Sequence, residues 1–424
     1  MRVWNLDNEY DKFISFVLDG REKKKKNVRD AVETIKNEII SKKEKALVGF
    51  SRKWDHWEKE YSLKLSEKEI REGASKIDRT DTAVLRGMIE NVTSYHKNQK
   101  GKNRTYKKKG LLVREEFVPL EKAMVYVPGG TAAYPSSLIM GVVPAKLAGV
   151  KEIFVTTPTL NGKVNPYVTK AAALLGIKNM YRLGGAQAIY AFAYGIGAIP
   201  KVDIIVGPGN AYVEEAKRDV YGSVGIDMLA GPTELIILCT EQFSPKALSW
   251  DMFSQAEHDE MAMVGLFSSS RDHLKKIDDY VKRFISQNER KDTVEKALKN
   301  NGFLVLYKNV GKAIEAINRI APEHMELIGN ERHTGKIDYP GIIYVGPYTT
   351  VAMGDYYIGT NHVLPTGGAG RFTGGLSVDR FTKRKVVVTI DKSFIEKYGD
   401  SAIRFSQIEG LFAHGEAIKA RKEL

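Results

Sequence analysis

From Ala123 onward, short apolar runs alternate with helical ones, and that alternation admits few folds. Segments 124–127, 152–156, 180–183, 203–206 and 235–238 read as strands, and the first four each lead through a glycine- or proline-marked turn into a helix. A strand that returns to its sheet by way of a helix lies parallel to its predecessor, so the pattern predicts βα units on a parallel sheet. After Thr240 the texture resumes, with helices around 247–257 and 274–285 and strands at 263–267, 303–307 and 342–345. A last strand is expected at 386–390. Residues 1–110 read as a helical scaffold, with amphipathic spacing at 28–35 and 67–72. The stretch 392–424 is helical with no sheet of its own, so it must pack on the body or on a partner chain.

A chain of 424 residues is long enough for about two to four domains. It has no run of about 18 apolar residues. Its start, Met1-Arg2-Val3-Trp4-Asn5, lacks the charged-then-apolar layout of a secretion signal, so a cytoplasmic protein with no membrane partner is expected. The net charge of +13 raises a nucleic-acid reading. Its location argues against one. Residues 1–110 hold 28 Lys and Arg against 18 acids, largely through 23–26 and 97–109, and no aromatic platform is interleaved. A solvated helical face accounts for the excess. The one cysteine, Cys239, falls in an apolar strand, which excludes an intrachain disulfide and a cysteine zinc cage.

Gln255 and His258 close the helical run 247–257, spaced to share a helix face. An imidazole with an amide oxygen suits zinc if further ligands arrive from elsewhere; a histidine that caps the helix or fills the core is the plainer alternative. Asp355, His362 and His414 follow downstream, the first two within a glycine-dominated stretch, 354–375, whose length marks a functional loop. Glu323-His324 stands after Pro322 at an expected helix start. The two can act as a water-activating base beside a proton shuttle, or as a dipole-favoured acid beside a surface histidine.

Val206-Gly207-Pro208-Gly209-Asn210 follows a strand and opens a helix, so its amides can face a phosphate. Asp227 lies at the spacing of a ribose contact, but Tyr212 occupies the place of the fingerprint's third glycine, and a simple tight turn fits as well. Val127-Pro128-Gly129-Gly130 and Gly184-Gly185-Ala186-Gln187 belong to the same sheet edge. Three such turns on one edge favour a ligand cleft.

Taken in order, Tyr126-Val127-Pro128-Gly129-Gly130, Gly184-Gly185-Ala186-Gln187-Ala188, Gly207-Pro208-Gly209-Asn210-Ala211, Ala230-Gly231-Pro232-Thr233-Glu234, Ser254-Gln255-Ala256-Glu257-His258, Pro322-Glu323-His324 and Gly359-Thr360-Asn361-His362-Val363-Leu364-Pro365-Thr366 form an ordered set. The chain resembles the histidinol dehydrogenases in all seven, over roughly 28–424 and more weakly in the first 110 residues. The resemblance implies an α/β protein of two incomplete Rossmann-like domains, with a helical N-terminal scaffold and a helical C-terminal tail crossing to the partner subunit. The implied division is an arm at 1–27, a first α/β domain from 28–125 and 236–380, a second, cofactor-side domain at 126–235, and a dimerisation tail at 381–424.

The activity it implies is zinc-dependent, NAD-linked oxidation of L-histidinol through L-histidinal to L-histidine, the last steps of histidine biosynthesis, in a homodimer with shared active sites. The implied zinc ligands are Gln255, His258, Asp355 and His414. The substrate would meet these four, the catalytic pair Glu323 and His324, and also Thr233, His362 and Glu409. NAD contacts fall on Tyr126, Gln187 and Asn210. Thr233 stands where many members have serine, keeping the hydroxyl and adding a methyl, and the lysine-rich stretch 41–45 also departs from the family pattern. A relative that oxidises another small polar alcohol with NAD is the alternative.

Overall fold

The strands Glu234–Cys239 and Met263–Ser268 are buried along their whole length, as a parallel sheet covered by helices on both faces requires. They lie at the centre of a six-stranded parallel sheet ordered Arg2–Asn5, Gly302–Leu306, Met263–Ser268, Glu234–Cys239, His324–Ile328, Ile342–Val345. A five-stranded parallel sheet is ordered Asn179–Arg182, Glu152–Thr157, Lys122–Tyr126, Ile204–Val206, Gly225–Ile226. The computed structural model describes residues 1–24, 28–59, 61–129 and 133–424. Lys25 and Lys26 of the basic run and Gly130 of the first glycine turn lie outside the described residues.

Both sheets wind outward from an inner strand in two directions, which leaves a switch point beside that strand. In the five-stranded sheet it falls between Lys122–Tyr126 and Ile204–Val206, and in the six-stranded sheet between Glu234–Cys239 and His324–Ile328. The helices Arg29–Lys42 and Glu44–Trp54 bury Val32, Ile35, Ile39 and Leu47 against Met124 and Phe154 of the five-stranded sheet. Helix Arg79–His96 places Leu85, Met88 and Val92 in a core with Val125 and Val155. The first helix, Leu6–Lys24, instead packs Phe13, Ile14 and Val17 beside Phe267 and Phe303 of the six-stranded sheet.

Two local expectations fail. Residues 1–110 are not helical throughout, because Arg2–Asn5 is an edge strand of the large sheet and Arg104–Lys108 joins Leu111–Pro119 and Thr382–Ile390 in a small antiparallel sheet. Arg2–Asn5 and Arg104–Lys108 are short edge strands with no continuous apolar run to announce them, whereas the strand expected at 386–390 lies within Thr382–Ile390. Pro322 also stops a helix where one was expected to start. Ala321 closes Val310–Ile320 in the left-handed region at φ 49, Pro322 cannot continue the helix, and His324 opens the strand His324–Ile328.

The tail forms two helices, Lys392–Ile408 and Phe412–Lys422, which pack chiefly on each other. Phe405, Ile408 and Phe412 are 61, 67 and 78% exposed, so this hairpin keeps an uncovered apolar face. No described helix is long and apolar enough to cross a membrane.

Candidate active site

The opening of strand His324–Ile328 lies beside the opening of Glu234–Cys239, and polar side chains converge there at the amino edge of the large sheet. Glu323 Oε2 accepts from the Thr233 hydroxyl at 2.6 Å and from the Glu234 N–H at 3.0 Å. His324 Nδ1 is 3.3 Å from the same carboxylate oxygen and 3.1 Å from the Glu234 carbonyl. A carbonyl only accepts, so Nδ1 carries a proton and Nε2 is the ring atom left for chemistry. That Nε2 is buried with no protein partner. Burial works against the imidazolium, but the Glu323 carboxylate beside it prevails and pushes His324 up to about 9.

Gln255 comes from the last turn of helix Pro245–Ala256, which returns from the far edge of the sheet and so ends near Thr233. Its amide nitrogen donates to the Thr233 hydroxyl oxygen, and its Oε1 is buried without a partner. Asp355 is carried by the short helix Val351–Tyr356, and its carbonyl is 3.1 Å from His362 Nδ1. Desolvation lowers the pKa of His362, the Asp355 charge opposes it, and His324 and His258 add to the lowering, which puts these three groups within electrostatic reach of His362. His258 is exposed and lines a cleft of about 760 Å³ with Tyr134, Trp250 and Tyr356.

Behind this front lies a second layer that the sequence reading did not single out. Thr350 Oγ1 donates to Asp251 at 2.7 Å and the Val351 N–H to Glu326 Oε1 at 2.9 Å, so the helices that carry Gln255 and Asp355 meet the strand of His324 there. Burial and the neighbouring Asp251 push Glu326 up to about 8. The Tyr344 ring lies 6.4 Å from that of His324, nearly parallel, with a buried hydroxyl that has no partner. Only the alternation of His324 and Glu326 on one strand face hinted at this layer.

His414 and Glu409 stand apart from this cluster. They line a separate cleft of about 470 Å³ on the tail with Tyr398, Phe405 and Leu411. Among the described residues no group of three or more His, Cys, Asp or Glu is placed to hold a metal ion.

The glycine turns gather at the carboxyl edge of the five-stranded sheet, as expected. Gly207, at φ +111, presses so close to the Tyr126 carbonyl that a Cβ would stand 2.2 Å from its oxygen. Asn210 caps helix Ala211–Val220 by accepting from the N–H groups of Tyr212 and Val213. Tyr126 is buried, with its hydroxyl accepting from the Gly185 N–H at 3.0 Å, and Gln187 Oε1 is buried without a partner. Asp227 is not free for a ribose. It pairs with the fully buried Lys217 at 2.7 Å and accepts from the Gly207 N–H at 2.7 Å. Lys217 was not foreseen, since on an amphipathic helix a lysine is ordinarily solvated.

A model of the histidinol dehydrogenase family matches residues 18–422. A histidinol dehydrogenase of Clostridium acetobutylicum is 39% identical over 421 residues, covering 98% of this chain and 97% of that one. The chain belongs to the histidinol dehydrogenase family. A second relative, the histidinol dehydrogenase of Lactococcus lactis, is 39% identical over 401 residues and covers 93% of both chains. The crystal structure of histidinol dehydrogenase from Elizabethkingia anophelis superposes with a TM-score of 0.92 at 30% identity, over 99% of this chain and 97% of that one. A histidinol dehydrogenase is an oxidoreductase, and in this one Thr233, Glu323 and His324 set a hydroxyl, a carboxylate and an imidazole side by side.

Proposed function

We propose that the chain oxidises L-histidinol through L-histidinal to L-histidine, with NAD⁺ as hydride acceptor and a zinc ion in the site. The observation that carries the reading is the knot of half-buried Thr233 with the buried Glu323 and His324, beside an unpartnered Gln255 Oε1. A buried amide oxygen without a partner is costly, and a cation relieves that cost. Gln255, His258 and Asp355 would hold zinc from one chain, and the metal would supply an anchor for the substrate's imidazole and amino groups. NAD⁺ would lie along the glycine turns near Tyr126, Gln187 and Asn210, where the unpartnered Gln187 Oε1 suits a ligand hydroxyl, and it would take up the hydride of each step.

In the alcohol step the neutral form of His324 accepts the hydroxyl proton at Nε2, while Nδ1–H stays on the Glu234 carbonyl and fixes the ring. In the aldehyde step Glu323 takes a proton from the water that adds to the carbonyl. Thr233 and the Glu234 N–H hold the carboxylate in place for that task. Thr233, His362 and Glu409 complete the substrate contacts.

His414 and Glu409 would reach the site of a second copy. The uncovered Phe405, Ile408 and Phe412 support a tail that crosses to a partner in a homodimer, in which each site takes His414 from the other chain. On this reading the two parallel sheets would form the cores of the two incomplete Rossmann-like domains.

The test is NADH production with L-histidinol against a panel of other small polar alcohols, with and without chelator. L-Histidinol should be strongly preferred, and the protein should hold about one zinc per chain. Preference for a different alcohol would assign the chain to a relative with another substrate, and activity untouched by chelator in a metal-free protein would remove zinc from the account.

A further inference from the structure

Arg21 sits in the last turn of helix Leu6–Lys24 and reaches the edge of the large sheet where the acid–base pair stands. Its Nε and Nη2 each donate to one oxygen of Glu234 at 2.7 Å, a two-pronged bond that only a guanidinium makes. Its Nη1 donates to the Ile320 carbonyl at 2.7 Å. Both acceptors belong to segments that place the pair. The Glu234 backbone holds Glu323 through its N–H and His324 through its carbonyl. Ile320 ends the helix from which the chain turns, through Ala321 and Pro322, into Glu323.

Anchoring the first helix does not need this contact, because Phe13, Ile14 and Val17 already bury it on the sheet. Glu234, by contrast, has no other side-chain cation bonded to it among the contacts of the described residues. Burial pushes its carboxyl upward, Arg21 pulls it back, and the nearby Glu323 charge pushes it upward again. Without the guanidinium, two carboxylates would share a buried space and one would have to move or take a proton.

We propose that Arg21 is a positioning residue for the acid–base pair: by fastening Glu234 to Ile320 it sets the separation of Glu323 and His324 and keeps Glu234 from competing with them. This rests on the oxidation proposed above, with Glu323 and His324 as its acid–base groups.

The test compares wild type with Arg21→Met, Arg21→Lys and Glu234→Gln, by steady-state NADH production and by hydrogen exchange on the folded proteins. Arg21→Met should lower kcat about 100-fold, the scale of a misplaced reacting group. Its KM values for alcohol and for NAD⁺ should change less than about threefold, because Arg21 bonds none of the proposed zinc ligands, none of the proposed NAD⁺ contacts and none of Thr233, His362 and Glu409. Arg21→Lys, a single point charge that cannot fork, should recover roughly tenfold of the loss. The double variant Arg21→Met with Glu234→Gln should lose no more than the worse single variant, since both break one unit.

In hydrogen exchange, Arg21→Met should open segments 233–236 and 320–326 at least about tenfold faster while 247–257 stays as in wild type. A lower unfolding temperature with kcat per folded enzyme intact would overturn the proposal. If wild type fails to oxidise L-histidinol, the functional reading falls, and the exchange data still decide on Arg21: unchanged protection at 233–236 and 320–326 overturns it. Should Arg21→Met not fold, Arg21→Lys and Glu234→Gln carry the same comparison.

Discussion

The Thr233 hydroxyl donates to Glu323 Oε2 at 2.6 Å across 90 residues of chain, and the Thr233 hydroxyl oxygen itself accepts from the Gln255 amide nitrogen. A hydroxyl with one proton and two lone pairs serves both partners at once. The geometry therefore joins a proposed metal ligand to a proposed base through one threonine. The methyl that distinguishes Thr233 from a serine leaves this bonding unaltered.

The pair divides the work of the two steps. Glu323→Gln keeps the shape of the side chain but removes the base, so oxidation of supplied aldehyde should fall by roughly 100-fold or more and oxidation of the alcohol by less. His324→Asn should do the reverse. Single-turnover rates with each substrate check this, and equal small losses in both steps for both variants would contradict it.

The pH profile follows from the direction of the His324 shift. His324 is held up to about 9 chiefly by Glu323 against burial, so its neutral, proton-accepting form grows as pH rises through neutrality. The rate of the alcohol step should rise with pH and level off only above that value. Glu323→Gln removes the neighbouring negative charge, lowers the pKa of His324, and should move the inflection of the residual activity to lower pH. An inflection that stays in place would show that another group titrates.

Lys217 gives a stability prediction. It is wholly buried between Asp227 and Glu214 and also donates to the Gly207 carbonyl at 3.1 Å. Lys217→Met removes the cation and strands two carboxylates, which should cost about 3–5 kcal/mol in denaturant unfolding. Adding Asp227→Asn should return part of that loss, because one stranded charge is gone. A single-variant loss below about 1 kcal/mol would show that the carboxylates accommodate by taking protons.

The sequence announced some of this and concealed the rest for physical reasons. The inner strands of both sheets were legible because continuous apolar runs such as Leu235 to Leu238 have few other uses. The glycine turns were legible because Gly207 stands where no side chain fits. Pro322 misled because proline both opens helices and follows them, and only the left-handed Ala321 decides between the two. Asp227 had the spacing of a ribose ligand, but spacing does not reveal a buried lysine ten residues upstream. Arg21 was invisible for the same reason, since its partner lies 213 residues away.

Sharing of the site between chains can be sorted by mixing. His258→Ala and His414→Ala should each abolish activity alone. Co-expressed, their mixed dimers hold one site with both lesions and one with neither, so random pairing should restore roughly a quarter of normal activity. No restoration, with mixed dimers confirmed by differential tagging, would place His414 in its own chain's site or outside the site.

The most direct test is the stoichiometry of the whole reaction. With limiting L-histidinol and excess NAD⁺, the account predicts about two NADH formed per L-histidinol consumed, L-histidine as the product and no accumulated aldehyde, because both steps share Glu323 and His324. One NADH per L-histidinol with free aldehyde released, or no NADH at all, would contradict it.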